Sequence, residues 1–151
     1  MSTTSSGGSS GRTLNQTLAL AIGAVYLLVG LAGFLVTGFD GFFEHDHSQT
    51  LLGFAVNPFH NIVHILIGAA GIALSRTLAG ARTYGMLLLA GYGLTFLYGL
   101  FAVNAEWDFL NINWADNVLH LVSALAGAFI AFYGRNRVGH STTPGATRPV
   151  R

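Results

Sequence analysis

The chain has 151 residues, with no cysteine, no lysine, three prolines and only 9% charged residues. Without cysteine there is no disulfide framework, no thiolate nucleophile and no Cys-ligated zinc or iron–sulfur site. A soluble domain ordinarily carries about 25% charged residues, so so few charges point away from a surface built for water. Net charge is +1 and no basic run or basic–aromatic stripe occurs, so no nucleic-acid partner is expected. Enzyme signatures are missing as well. Ser48 and Ser123 lack a nucleophile context, and neither a GxSxG turn nor a phosphate-cradling loop is present, so the chain reads as a non-enzyme.

Apolar residues are what the chain has in excess, at 52%, with 20 glycines and a mean hydropathy of +0.55. They gather into four segments, about 14–36, 59–75, 84–103 and 115–133. A helix needs about 20 apolar residues to cross a bilayer, and tilt or local thinning absorbs a slightly short one. Buried helices of a soluble bundle would still show a polar stripe, which Leu14–Val36 and Tyr84–Val103 do not. The expected fold is therefore all-α, an integral membrane four-helix bundle of two tandem hairpins over 14–134. Its flanks are Ser/Gly/Thr-rich and too polar to bury a core, so 1–13 and 135–151 are expected to be a disordered cytoplasmic arm and tail.

Charge sets the orientation. All seven arginines (12, 76, 82, 135, 137, 148 and 151) lie in the N-terminal arm, the 76–83 loop or the tail. All six acidic residues (Asp40, Glu44, Asp46, Glu106, Asp108, Asp116) lie in the other two loops or at their edges. The positive-inside rule then puts both termini in the cytoplasm and the 37–60 and 104–116 loops outside, in a cell (inner) membrane. The partner implied is the lipid bilayer, and a bundle this small has room for a copy of itself or a membrane complex beside it.

Two stretches echo each other. Residues 57–64 read NPFHNIVH and residues 113–120 read NWADNVLH, so Asn57, Asn61 and His64 recur as Asn113, Asn117 and His120, with Asp116 in the place of His60. Each copy opens a helix returning to the cytoplasm, which makes a parallel repeat about an axis along the membrane normal. Spans one and three match only weakly, in VGL (29–31) beside YGL (98–100).

Residues four apart share a helix face, so the polar positions of each copy stack. Two readings stay open. In one, Asn57, Asn61, Asn113 and Asn117 are caps and cross-links that satisfy backbone groups lipid cannot, and the histidines tie the hairpins together. In the other, His60, His64, Asp116 and His120 hold a divalent metal, since His60 and His64 have the i, i+4 spacing of zinc-binding helices. His64 and His120 alone would instead be the two axial ligands of a b-type haem. The tract Glu44-His45-Asp46-His47 reads as a solvated loop tip able to bind a divalent ion weakly. Glu106 and Asp108 beside Trp107 read as an interfacial loop with an aromatic anchor.

The stretches NPFHNIVHILIGAAG (57–71) and ADNVLHLVSALAG (115–127), with the four spans, resemble the bacterial integral membrane family catalogued as domain of unknown function 4383. The resemblance covers roughly 14–134 and implies a multi-pass four-helix membrane protein. Asn61, His64, Asn117 and His120 match its pattern, and the 44–47 tract is outside it.

Overall fold

A computed structural model of the chain describes residues 11–134; most of the expected N-terminal arm and the whole expected tail lie outside the described residues. The elements run α1 (Leu14–Thr37), β1 (Thr50–Leu51), β2 (Phe54–Ala55), α2 (Pro58–Leu74), α3 (Leu78–Ala102) and α4 (Trp114–Phe132). Every helix begins on a side-chain cap, as the free amides of a first turn require. Thr13 and Gln16 form a capping box for α1, Asn57 caps α2 ahead of Pro58, and Thr77 caps α3. Asn113 and Asp116 make a second capping box for α4.

Thr77 changes one expectation. By accepting the Gly80 N–H at 2.9 Å it starts α3 at Leu78. The loop expected over 76–83 thus shrinks to a tight turn, and Arg82 sits on a helix. The first outer loop also holds a two-residue antiparallel ladder, Thr50 opposite Ala55 and Leu51 opposite Phe54. Its turn places Leu52 at φ 55° and Gly53 at φ 90°, the two left-handed positions of a type I′ hairpin.

Helix α1 packs along α2, and α3 along α4. Glycines let each pair close. A Cβ on Gly68 would overlap the backbone of Leu27 in α1, and one on Gly127 would overlap Leu89 and the Gly85 carbonyl in α3. Such small-residue contacts are how helices approach without a hydrophobic drive between them. At the arginine-bearing end, the Asn15 side chain donates to the Ile130 carbonyl at 2.7 Å, and Gln16 donates to the Ser75 and Arg76 carbonyls at 3.1 and 2.9 Å. Sequence patterning had flagged neither residue.

Polarity is arranged inside out. Leu35 is 90% exposed and Leu28, Leu66, Leu94 and Leu125 also point outward, while Asn15, Asn61, His64, Asn117 and His120 are buried. A water-soluble protein buries its leucines and exposes such polar groups. Helices α1, α3 and α4 are long and apolar enough to cross a membrane, and α2 is a shorter apolar helix of 17 residues. The whole is an all-α bundle compatible with a membrane protein.

Candidate functional site

The two echoing stretches begin α2 and α4, and their polar residues converge at one end of the bundle. Asn57 Oδ1 accepts the His60 N–H at 2.8 Å, and Asn113 Oδ1 accepts the Asp116 N–H at 3.0 Å, each capping its own helix. Their amide groups reach across to the other loop. Asn57 Nδ2 donates to the Phe109 carbonyl at 3.0 Å and to the Glu44 carbonyl at 3.2 Å. Asn113 Nδ2 donates to the Gly53 carbonyl at 2.9 Å. Asp116 Oδ2 accepts two amides, Asn113 N–H at 3.0 Å and Ala55 N–H at 2.9 Å. Its carboxylate therefore serves the loop backbone rather than the histidines.

One turn deeper, Asn61 donates to the Thr37 hydroxyl at 3.0 Å. Its side chain lies against Gly33, where a Cβ would overlap it, and Asn117 lies in the same way against Gly99. From His60 inward, five rings form a closed circuit. His64 meets Tyr26 (centroids 5.0 Å apart), Tyr26 stacks on Tyr92 (5.1 Å), and Tyr92 stacks on His120 (5.4 Å). His120 approaches His60 (6.2 Å), and His60 returns to His64 (4.4 Å).

Within this circuit His60 Nε2 and His64 Nε2 are 3.2 Å apart, a hydrogen bond in which one ring donates and the other accepts. Tyr26 and Ser123 share a hydroxyl hydrogen bond of 2.5 Å. Nδ1 of His64 and of His120 is buried without a partner. Two crevices flank the circuit at the seams between hairpins. One, of about 350 Å³, touches His60, His64, Tyr92 and His120, and the other, of about 450 Å³, touches Tyr26, His64, Asp116 and Ser123. The remaining lining is mostly aliphatic, with Tyr84 and Thr95 in the first and Phe54 in the second.

The structure thus brings His60, His64 and His120 together and engages Asp116 with the Asn113 and Ala55 amides. The two tyrosines that complete the circuit, Tyr26 and Tyr92, read from the sequence only as hydrogen-bonded packing residues within apolar spans. Asp108, read from the sequence as part of an interfacial loop, and Asn111, which no pattern marks, are both fully buried. Asp108 accepts Leu110 N–H (3.2 Å), Ile112 N–H (2.7 Å) and the Tyr98 hydroxyl (3.0 Å). Asn111 donates to the carbonyls of Asp46 and Val56, both at 3.0 Å. The available signal was an aspartate followed by amides two and four residues on, an Asx-type turn, in a loop with no glycine or proline to bend it.

In the longer loop, Asp46 Oδ1 accepts the Ser48 N–H at 2.8 Å. Hydrogen bonds from the Ser48 hydroxyl and amide hold the Asp46 carboxyl below its usual range.

A family model described as Domain of unknown function (DUF4383) matches residues 16–133. Neither the curated proteins nor the solved structures yield a match.

Proposed function

The chain belongs to that family, whose function is unassigned, and from this premise we propose that it is a non-enzymatic, four-span membrane module in which the polar cluster clamps two like hairpins together. One observation carries the reading: each asparagine cap bonds the carbonyl of the opposite loop, Asn57 that of Phe109 and Asn113 that of Gly53. An internal repeat of two hairpins accounts for this reciprocity. Tyr26 and Tyr92, like Gly33 and Gly99, stand 66 positions apart, and Asn61 and Asn117, like His64 and His120, stand 56 apart. The difference is the extra length of the first outer loop.

In this reading the arginine-bearing end, with Arg12, Arg76 and Arg82, is cytoplasmic by the positive-inside rule, and the clamp lies on the outer side of the cell membrane. Lipid is the solvent for the exposed leucines, and a second copy or a membrane complex is the natural protein partner. The absence of native cysteine makes topology simple to test. Single cysteines at Gly53 and Glu106 should react with a membrane-impermeant maleimide on intact cells, and one at Arg76 only after lysis. Labelling of Arg76→Cys on intact cells would overturn the orientation.

A second reading has its own support, the 3.2 Å approach of His60 and His64, which a metal ion would explain as well as a shared proton. Haem fits less well, because Tyr26 and Tyr92 join His64 to His120 through a run of ring contacts, one tilted and two stacked, that a macrocycle would have to displace. Elemental analysis of untagged protein from native membranes separates the readings. Metal at this site must disappear in the His64→Ala/His120→Ala variant, whereas the clamp requires none.

A further inference from the structure

The tract Glu44-His45-Asp46-His47 does not stay a free loop tip. Asn57 holds the Glu44 carbonyl and Asn111 the Asp46 carbonyl, so the backbone is pinned on both sides and its two imidazoles lie side by side, with centroids 4.6 Å apart. Beneath them lies Asp108 from the other outer loop. One ligand atom from each of His45, His47 and Asp108 lies within 4.8 Å of the other two, and His45 Nδ1 is 3.9 Å from Asp108 Oδ2.

Two features of this cluster are unexplained by packing. The Asp108 side chain is fully buried, and its described partners are neutral donors apart from the His45 contact. The described arginines, Arg12, Arg76 and Arg82, all lie at the far end of the bundle. A buried carboxylate without a cation is costly. His47 Nε2 is also buried with no hydrogen-bond partner, which leaves a ring nitrogen with a lone pair or proton unused.

We propose that His45, His47 and Asp108 form a binding site for a zinc-class divalent ion that joins the two outer loops. The donor set decides the class of ion. Two imidazoles and one carboxylate suit zinc and its late transition neighbours, whereas magnesium and calcium take oxygen ligands almost exclusively. Bond lengths of about 2.0–2.2 Å around a tetrahedral zinc place its ligand atoms about 3.3 Å apart, so from separations of 3.9 Å for His45 and Asp108 and at most 4.8 Å for the set the groups need to close by at most about 1.5 Å. Water completes a three-ligand zinc site. Asp108 is already oriented by Leu110 and Ile112 amides, the support a metal-bound carboxylate ordinarily has. Because the ligands come from both loops, the ion would act on the same joint as the asparagine caps, from the solvent side.

The experiment uses the full, untagged chain in detergent, stripped with EDTA and titrated with zinc chloride against a chromophoric zinc chelator. The expected result is one zinc per chain. Affinity should fall about 100-fold or more in His45→Ala/His47→Ala, since even supporting residues of metal sites account for 10–100-fold. The His64→Ala/His120→Ala variant should bind as the natural chain does, which separates this site from the histidine circuit. His45→Ala alone, at a side chain only partly buried, should keep the elution profile of the folded protein and still weaken zinc. Equal zinc affinity in the natural chain and His45→Ala/His47→Ala would overturn the proposal, as would loss of zinc only in His64→Ala/His120→Ala.

Discussion

Asn57 and Asn113 exchange loops: Asn57 donates to the Phe109 carbonyl at 3.0 Å while Asn113 donates to the Gly53 carbonyl at 2.9 Å, and each also caps its own helix. Losing a cap costs about 0.5–2 kcal/mol. Asn113→Ala should therefore lower the stability of the detergent-solubilised protein by about 1–2 kcal/mol. Asn113→Asp keeps the capping oxygen and loses only the donor, so its unfolding midpoint should lie between the two. Equal midpoints for Asp and Ala would show that the cap contributes nothing.

Tyr26 and Ser123 bond across the hairpins at 2.5 Å in a buried site. Removing one partner strands the other, at about 1–3 kcal/mol, while removing both is much milder. Tyr26→Phe and Ser123→Ala should each destabilise, and the double variant should lose less than the two single losses added together. Strict additivity in chemical denaturation would refute the pairing.

Gly68 and Gly91 are both helical glycines with opposite expectations. A Cβ at 68 meets the Leu27 backbone, and one at 91 meets nothing within 4 Å. Overpacking of this kind costs about 1–3 kcal/mol, and backbone cannot step aside as a side-chain tip can. Gly68→Ala should lower the thermal midpoint clearly, and Gly91→Ala should leave it unchanged or raise it. A tolerated Gly68→Ala would mean that α1 and α2 are not in close contact.

Asp116 reaches out of its own capping box to the Ala55 amide at 2.9 Å. In Asp116→Ala that amide, the last of the short ladder, loses its acceptor. Hydrogen exchange at Ala55 should accelerate by about tenfold or more, consistent with loss of at least one hydrogen bond's net ~1.4 kcal/mol, while exchange deep in α1 stays as it was. Unchanged exchange at Ala55 would remove Asp116 from the joint.

Much of the architecture was legible because lipid imposes simple demands. Uninterrupted apolar runs gave the helices, and Asn57 and Asn113 announced two of their starts. The start of α3 was obscured because Arg82 looked like loop, yet only the Thr77 hydroxyl was needed to open a helix there. Between α1 and α3 the sequence offers only the weak match of VGL with YGL. Tyr26 stacks on Tyr92, and Gly33 and Gly99 each lie against an asparagine, while at the same 66-residue offset the sequence adds only scattered Ala and Leu identities (Ala24 and Ala90, Leu28 and Leu94, Leu31 and Leu97). What fixes that register is space: asparagine side chains on α2 and α4 demand a residue without Cβ opposite them. The loop-borne polar residues Asp108 and Asn111 were the hardest to read: Asp108 folds its own loop around backbone amides, which no side-chain pattern marks, and the carbonyls Asn111 holds are 55 and 65 residues away.

The reciprocal caps also bear on timing. A ribosome adds about 5–20 residues per second, so the Asn57 cap and the Ala55 amide are made several seconds before Phe109 and Asp116 exist to receive them. During that interval the first hairpin carries unfilled donors at its outer end, and a chaperone or neighbouring helix that met them then would compete directly with the second half of the same chain.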